Sequence, residues 1–468
     1  MTLVLPGVEI KVVKEIIVGQ LNPAGIFGIL GLVEDQEEFK IGRGSSYKAL
    51  KERFGPSIDF TMPEVKLAFM NGISEVVISP IESRSAAPAS ADIKIGDSSV
   101  KVNARAPGLW GNKIKIHVEE RAGAPESYRM MVGCDSVTEV YDNIVLDPEN
   151  ERFIEKVVNT QSDMIRVSVT EAKKGKKKEG EAPSAGGMSQ PVEAYLMGGK
   201  GATVKDYERA LERLESEEDI DLVAASIEDF SKPEEVIQIY RMLEAHAKKM
   251  SDLCMNRIAL GEAPPSSMFK NADAEVEEIL KQKATISSDR FIYVAPHGVL
   301  GAVVGLLGNI SPHISPTYKA ISGVKSLERK YTPSQLKQLL LANILVLEER
   351  KGKGIIIEKG ICSSGEQISV QRVADRAVRG VKMIGDLFIG TLNNVNGRAA
   401  LKEKITEFFI QMEKDGAIVP SADGSDPAYK VDVYASDDDI AKGIVRVDIA
   451  VRPVRAIDYI YGTILVRA

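Results

Sequence analysis

The sequence predicts an α/β protein: a mixed α/β core that carries an inserted small β domain and extended N- and C-terminal β arms. Three observations carry this. Short β-rich runs alternate with amphipathic helical stretches between Ile26 and Ile81 and again from Val204 to Val294, the pattern of α/β units on a mainly parallel sheet. A region of two-residue periodicity interrupts that alternation, bounded on both sides by small-residue linkers. A lone strand pattern opens the chain and a pair of strand patterns closes it, and all of them need backbone partners.

In chain order, Val8, Ile10 and Val12 alternate with Glu9 and Lys11 after Pro6-Gly7, as a strand should. The core runs are IFGILGLV (26–33), EVVISPI (75–81), DLVAAS (221–226), NRIALG (256–261) and RFIYVA (290–295). Between them Tyr207, Ala210, Leu211 and Leu214 share one helical face, and Val236, Ile239, Tyr240, Leu243 and Ala247 share another. The alternation breaks at Ser83-Arg84-Ser85-Ala86-Ala87-Pro88-Ala89-Ser90 and resumes after Pro183-Ser184-Ala185-Gly186-Gly187. Period-2 runs at Lys113–Val118 and Met164–Val169 mark the insertion.

The expected organisation is therefore a linking arm (1–20), an α/β domain in two parts (21–85 and 196–330), an inserted β-rich domain (86–195), a C-terminal α/β domain (331–442) and a second arm (443–468). From Thr332 the chain turns helical, gives one strand (Gly354 to Glu358), then two amphipathic helices separated by Asn396-Gly397. Val370, Val373, Ala374, Ala377, Val378, Val381, Ile384 and Phe388 form the first apolar face, and Leu401, Ile405, Phe408 and Met412 the second. In the tail, Val445, Val447, Ile449 and Val451 point one way and Arg446, Asp448 and Ala450 the other. Arg452-Pro453 breaks the pattern, and a second run from Ile457 to Val466 follows, with Tyr459 and Tyr461 in phase with Ile457. Strand edges left open invite pairing with another chain; pairing of the two ends inside one subunit is the alternative.

Composition removes several classes of function. The net charge is −7, so a nucleic-acid surface would have to be a local patch. The one dense basic run, Lys173 to Lys178, leads into Glu179-Gly180-Glu181 without an interleaved aromatic residue, and reads as a solvated loop. Cys134, Cys254 and Cys362 form no CxxC pair and are expected to be free thiols in a reducing compartment. The start of the chain lacks a basic n-region and a sustained apolar h-region. The longest apolar stretch, Gly298 to Leu307, is about half the ~20 residues that a membrane span requires. Cytoplasmic synthesis, with no membrane insertion, is the expectation.

No chemical motif stands up to its own spacing requirement. Gly198-Gly199-Lys200-Gly201 lacks the GxxxxGK spacing of a phosphate loop and has no Ser or Thr after Lys200. Gly301, Gly305 and Gly308 read as close-packing positions in an apolar segment. His117, His246, His297 and His313 show no paired-ligand spacing, and Ile361-Cys362-Ser363-Ser364-Gly365 has no nearby histidine to mark a nucleophile.

Four segments together resemble a known family, the contractile tail sheath proteins of phages, tailocins and injection systems. Pro6-Gly7-Val8-Glu9-Ile10 is similar to the family's PGVYVEE-like strand, with Ile10 for the aromatic and Lys11 for the acid. Ala104-Arg105-Ala106-Pro107-Gly108-Leu109-Trp110-Gly111-Asn112-Lys113-Ile114 is similar to ARxPGxWGNxI. Leu196-Met197-Gly198-Gly199-Lys200-Gly201, followed by Tyr207 and Ala210-Leu211, resembles LxGGxDG…Y…AL, with Lys200 in place of the acid. Gly443 to Arg455 resembles the terminal GxLxVxIxVxPVxPxEF motif, with Ala456 where a second proline is frequent.

The resemblance implies a structural, non-enzymatic subunit without cofactor or metal. It would stack as hexameric rings around an inner tube and contract to drive the tube through a target cell envelope. Its partners would be itself, the inner tail tube protein, and baseplate and tail terminator proteins; it would be assembled in the bacterial cytoplasm and end in a virion tail or released particle. Arms shared between neighbours would form an intermolecular sheet, which assigns Val8, Ile10, Val12, Val445, Val447, Ile449, Val451, Ile457, Tyr459 and Tyr461 to linking. The C-terminal domain would meet the tube through a helix, for which Arg398 to Asp415 is the candidate, with Arg398, Lys402, Glu403, Glu407 and Lys414 on its outer face. The competing reading is an α/β enzyme with a β lobe and an unidentified ligand at the strand ends.

Overall fold

The computed structural model describes residues 25–34, 39–96, 98–121, 124, 126–170, 190–459 and 461. Before the insertion lie β1 (Ile26–Gly31), β2 (Gly42–Gly44) and β3 (Glu75–Pro80). The insertion holds β4 (Ser90–Ile95), β5 (Ser98–Ala104), β6 (Lys115–Glu120), β7 (Tyr128–Cys134), β8 (Val137–Ile144), β9 (Ile165–Thr170) and β10 (Val192–Tyr195). After it come β11 (Leu222–Ala225), β12 (Ile258–Glu262), β13 (Phe291–Ala295), β14 (Leu345–Arg350) and β15 (Gly354–Ile357). Last are β16 (Tyr429–Tyr434) and β17 (Arg446–Val451).

The core sheet runs β15-β14-β13-β12-β11-β1-β3-β2. Its six inner strands are parallel, and antiparallel β15 and β2 close its edges. A parallel sheet is covered on both faces, so its strands are apolar throughout rather than alternating: every residue of β1 and of β13 is buried. Phe27 and Ile29 face one helical layer, while Ile26 and Leu30 face the other. In the first layer the helix Leu300–Asn309 lies so close to Pro63–Met70 that a Cβ on Gly301 would sit 2.2 Å from Glu64 O, and one on Gly305 2.3 Å from Ala68 O. The glycine-rich apolar segment is thus a packing face.

The insertion is two antiparallel sheets, β10-β6-β7-β8 and β4-β5-β9, over a shared core that includes Ile93, Val100, Ile116, Met130 and Ile165. Its two linkers are stitched together. Ala87 and Lys200 exchange backbone hydrogen bonds (3.1 and 2.9 Å), as do Ser90 and Met197 (2.8 and 3.0 Å). The Asn112 amide donates to Gly199 O (3.1 Å) and accepts from Gly199 N (2.9 Å). Trp110 stacks on Phe60 of the body at 5.1 Å between centroids. The segments 104–114 and 196–201 therefore meet as a seam between insertion and body. In the second segment Gly199 abuts Gly108 O so closely that a Cβ there would collide with it.

Two expectations are corrected. Residues 331–368 belong to the α/β body and not to a C-terminal domain, because β14, which the sequence reading missed, pairs in parallel with β13. The chain divides into compact units at Ile368/Ser369 and again at Arg455/Ala456. Within the 369–455 unit, Asn396-Gly397 lies inside the helix Val395–Lys414, whose cap is Asn394 (Gly397 N to Asn394 Oδ1, 2.8 Å). Its buried face uses Phe409 with Leu401, Ile405 and Met412; Phe408 is half-buried and lies against Gly380.

Gly301→Ala should lower stability by about 1–3 kcal/mol, since a backbone carbonyl cannot yield cheaply to the new methyl. Gly385, inside the helix Ile368–Phe388, has nothing within 4 Å of a built Cβ, so Gly385→Ala should add about 0.5–1 kcal/mol. Denaturant titration of both variants checks the pair of opposite signs.

Candidate functional site

A sheet edge carries a row of N–H and C=O groups that must be paired, covered or defended. The body defends both of its edges. Along β15, Tyr318 N donates to Ile357 O (2.7 Å), Ile357 N to Lys319 O (3.0 Å) and Ile321 N to Ile355 O (2.9 Å), so residues 318–321 cover that edge. The opposite edge, β2, is three residues long, and its Arg43 is ion-paired with Glu75, Glu217 and Asp219.

The 369–455 unit is built differently. Among the described residues its sheet consists of β16 and β17, antiparallel, with Val431 opposite Ile449 and Val433 opposite Val447. Arg452 N donates to Ala428 O at 2.9 Å. Antiparallel alternation then turns the backbone groups of Ala450, Asp448 and Arg446 toward β16 and those of Val447 and Ile449 outward. Among the described residues no backbone hydrogen bond outside the β16–β17 pair is recorded for Val447 or Ile449. The side chains of Val445, Val447, Ile449 and Val451 pack, partly buried, with Val373, Ile384, Leu401, Ile405 and Phe409. The sequence reading assigned these four residues wholly to linking. Their exclusion from the subunit's own core is corrected: they complete a hairpin and a core of their own subunit.

On the opposite face of this hairpin, Tyr434 OH donates to Asp448 Oδ2 (2.9 Å). Arg446 grips Asp439 through Nε and Nη2 (both 2.9 Å) and holds its carboxyl well below the usual range. Strand β16 was missed in the sequence, although Tyr429, Val431 and Val433 alternate with Lys430 and Asp432 and period two could have found it.

Beyond β17 the chain returns to the body unit at Ala456. Ile457, Tyr459 and Tyr461 are 79%, 66% and 93% exposed, an apolar row in strand phase. Tyr459 is held through its hydroxyl by Lys359 Nζ (3.2 Å), whose ammonium also lies over the ring. Val8, Ile10 and Val12 lie outside the described residues. On the 395–414 helix, Lys402, Glu403, Glu407 and Lys414 are exposed. Lys402 pairs with Asp432 (3.4 Å), Glu407 with Lys404 (3.0 Å), and Arg398 donates to Asn393 Oδ1 (2.8 Å).

The carboxyl ends of the parallel strands are where an α/β enzyme would keep its site. There Glu64 Oε1 accepts from Ser226 Oγ (3.2 Å), while Oε2 is shut from solvent without a hydrogen-bond partner among the described residues. Glu262 accepts from Gly298 N (2.9 Å) and lies 3.3 Å from His297 Nδ1. Burial, then the neighbouring Glu262, pushes the Glu64 carboxyl up to about 7. The group can hold a proton. Cys362 is fully buried, and Ser363 exchanges hydrogen bonds with Ser288 (2.9 and 3.0 Å). His246 is packed against Arg257 (2.8 Å); burial and that guanidinium lower it to about 3. Among the described residues no group of three His, Cys, Asp or Glu could hold a metal ion, and no helix is long and apolar enough to cross a membrane.

Residues 200–363 match the family model of the phage tail sheath protein central domain, and residues 364–467 that of the phage tail sheath C-terminal domain. Among solved structures, the chain is similar to a sheath tail protein from Listeria innocua, at 14% identity over 94% of each chain with a TM-score of 0.54. It is similar to the helical sheath of the anti-feeding prophage in its contracted state, at 13% identity over 99% of each chain and a TM-score of 0.56. A third likeness is to the sheath complex of the extracellular contractile injection system PVC in its contracted state, at 11% identity over 99% of this chain and 98% of that one, with a TM-score of 0.55. These likenesses are of fold. A sequence search of curated proteins gave no match.

Glu64 gives a pH signature independent of assembly. Its folded value of about 7 lies above the ordinary 4.5, so the stability it contributes is complete below about 4.5 and is lost as pH rises through about 7. Relative to Glu64→Gln, the wild type should lose on the order of 2–3 kcal/mol between pH 4.5 and 8. Denaturation midpoints of the two proteins that run parallel across this range would contradict the assignment.

Proposed function

The chain belongs to the phage tail sheath protein family, and we propose that as a sheath subunit it joins other copies through the outer edge of β17 and the arm that follows it. The observation that carries this reading is the contrast of edges. The body covers or shortens each of its own, whereas in the 369–455 unit the backbone groups of Val447 and Ile449 point outward and find no partner among the described residues. A two-stranded sheet is marginal in water, and strands donated by neighbours would complete it.

Such joints suit a machine that shortens without coming apart. Some contacts must persist while others are exchanged. Strand pairing serves the persistent set, because several hydrogen bonds share the load at about 0.5–1.5 kcal/mol each. Side-chain contacts between bodies serve the exchanged set. In this reading the role is structural rather than enzymatic. Copies stack as hexameric rings around an inner tube, between baseplate and tail terminator proteins, and contraction drives the tube through a target envelope. Assembly takes place in the bacterial cytoplasm, and the product is a virion tail or a released contractile particle. The charged row Lys402, Glu403, Glu407 and Lys414 supplies a polar, weak contact for the tube, since exposed ion pairs contribute little individually.

Val447→Pro or Ile449→Pro removes an outward N–H and no rung to β16, so either should yield soluble subunits that fail to form tubes in electron micrographs. Asp448→Pro, which deletes a rung, should instead destabilise the 369–455 unit itself. Normal tubes from the first two variants would refute the joint. Reversing charge at Lys402 and Glu403 together should weaken assembly on the inner tube, most at low salt; unchanged tube-templated assembly would remove this helix from the contact.

A further inference from the structure

Four amide side chains in the body unit do the same unusual thing. Each pairs reciprocally with the N–H and C=O of one other residue, as the peptide group of an adjacent strand would. Asn71 pairs with Ser322 (2.9 and 2.7 Å), Asn112 with Gly199 (3.1 and 2.9 Å), and Asn159 with Val167 (2.9 and 2.7 Å). Asn71 ties two segments of the body together, Asn112 closes the seam to the insertion, and Asn159 ties a helix to β9 within the insertion. The fourth, Gln367, acts on the arm: its Nε2 donates to Ala456 O (3.0 Å) and its Oε1 accepts from Ala456 N (2.9 Å). Nε2 also donates to Asp458 Oδ2 at 2.8 Å.

The placement of this pair gives it a consequence that the other three lack. Gln367 lies just before the point where the chain leaves the body unit, and Ala456 is the first residue after it returns. Gln367 is 8% exposed and rigidly seated. Its residue bridges to Ile361, Ile368 N donates to Gly360 O (3.1 Å), and Ser363 N ties the same turn to Phe291 O of β13 (2.8 Å). Three residues past Ala456, Tyr459 of the arm's row of exposed side chains meets Lys359.

We propose that Gln367 is the positioning residue of the C-terminal arm, a strand surrogate that pins the chain at Ala456 and so fixes the register in which Ile457, Tyr459 and Tyr461 are offered to another copy. A strand slipped by one residue presents its opposite face, so an arm without a fixed starting point would offer a mixture of faces. The inference rests on the reading that the arm joins copies, and it adds which residue sets the joint.

The test uses the full chain, with hydrogen exchange read over residues 456–461 and 446–451 and tube formation read by electron microscopy. Gln367→Leu should lower protection at Ala456 about tenfold or more, the loss of more than one hydrogen bond. Protection of β17 should persist, and tubes should be fewer and irregular in helical order. Gln367→Glu separates this from a general packing defect: ionised, its carboxylate has no donor for Ala456 O and repels Asp458, whereas protonated it regains one donor and one acceptor. Its Ala456 protection factor should therefore be low at pH 7 and recover on acidification, while that of the wild type changes little. Unaltered Ala456 protection in Gln367→Leu would overturn the proposal, and so would lost protection with tubes of wild-type order. Wild-type protein that forms no tubes at all would instead overturn the joint on which the proposal depends.

Discussion

The constraint on which this structure turns is that a peptide edge cannot be left bare without consequence. An eight-stranded sheet has two edges, and each is closed by a different local device: a segment laid along β15, and a strand too short to template anything at β2. Against that background the outer edge of β17, which no described residue covers, stands apart. The chain protects the edges of one unit, and in the other the described residues leave one edge without a backbone partner, beside an apolar face that is only partly buried. Covering that edge with a foreign strand would satisfy the backbone and complete the burial at once.

A second economy runs through the body. Inserting a domain of about a hundred residues into a parallel sheet creates two linkers that must leave and return side by side. Here they hydrogen-bond to each other through Ala87, Ser90, Met197 and Lys200, and the Asn112 amide closes the remaining gap at Gly199. A side-chain amide has the donor and acceptor of a peptide group without the chain on either side, so it can pair where no strand could be threaded. The device joins three internal pairs of segments and one outgoing arm, which makes the arm's root part of the body's own hydrogen-bond order.

Much of the core was legible because burial on both faces writes itself as unbroken apolar runs: all five runs proposed for the sheet are strands of it. What escaped detection was marked by context and not by pattern. β14, Leu345–Arg350, ends in Glu-Glu-Arg and reads as the tail of a helical stretch, and only its pairing with β13 makes it a core strand. Phe408 and Phe409 are adjacent, so a 3.6-residue repeat cannot tell which of them turns inward; the neighbouring Gly380 makes room for one and the core takes the other. At the candidate site, the alternation of Val447 and Ile449 was plain, but which way their backbone groups point depends on a partner strand more than ten residues away. The seam motifs were visible as words whose meaning was hidden, since Asn112 and Gly199 are 87 residues apart.

The departure at Ala456 shows how such meaning is recovered. As sequence it is a small residue where a proline is frequent in resembling proteins, and nothing in composition explains it. In the structure its N–H is one of the three hydrogen bonds that hold the arm to Gln367, a bond that proline cannot make. Alanine at this place therefore exchanges the built-in stiffness of a proline for a hydrogen bond that can be broken and remade. On the proposed reading, in which the arm joins copies and holds its register while the chain beyond it changes direction, a reversible pin at the root is mechanically the better solution. It keeps the starting residue fixed while leaving the dihedrals on either side free to turn.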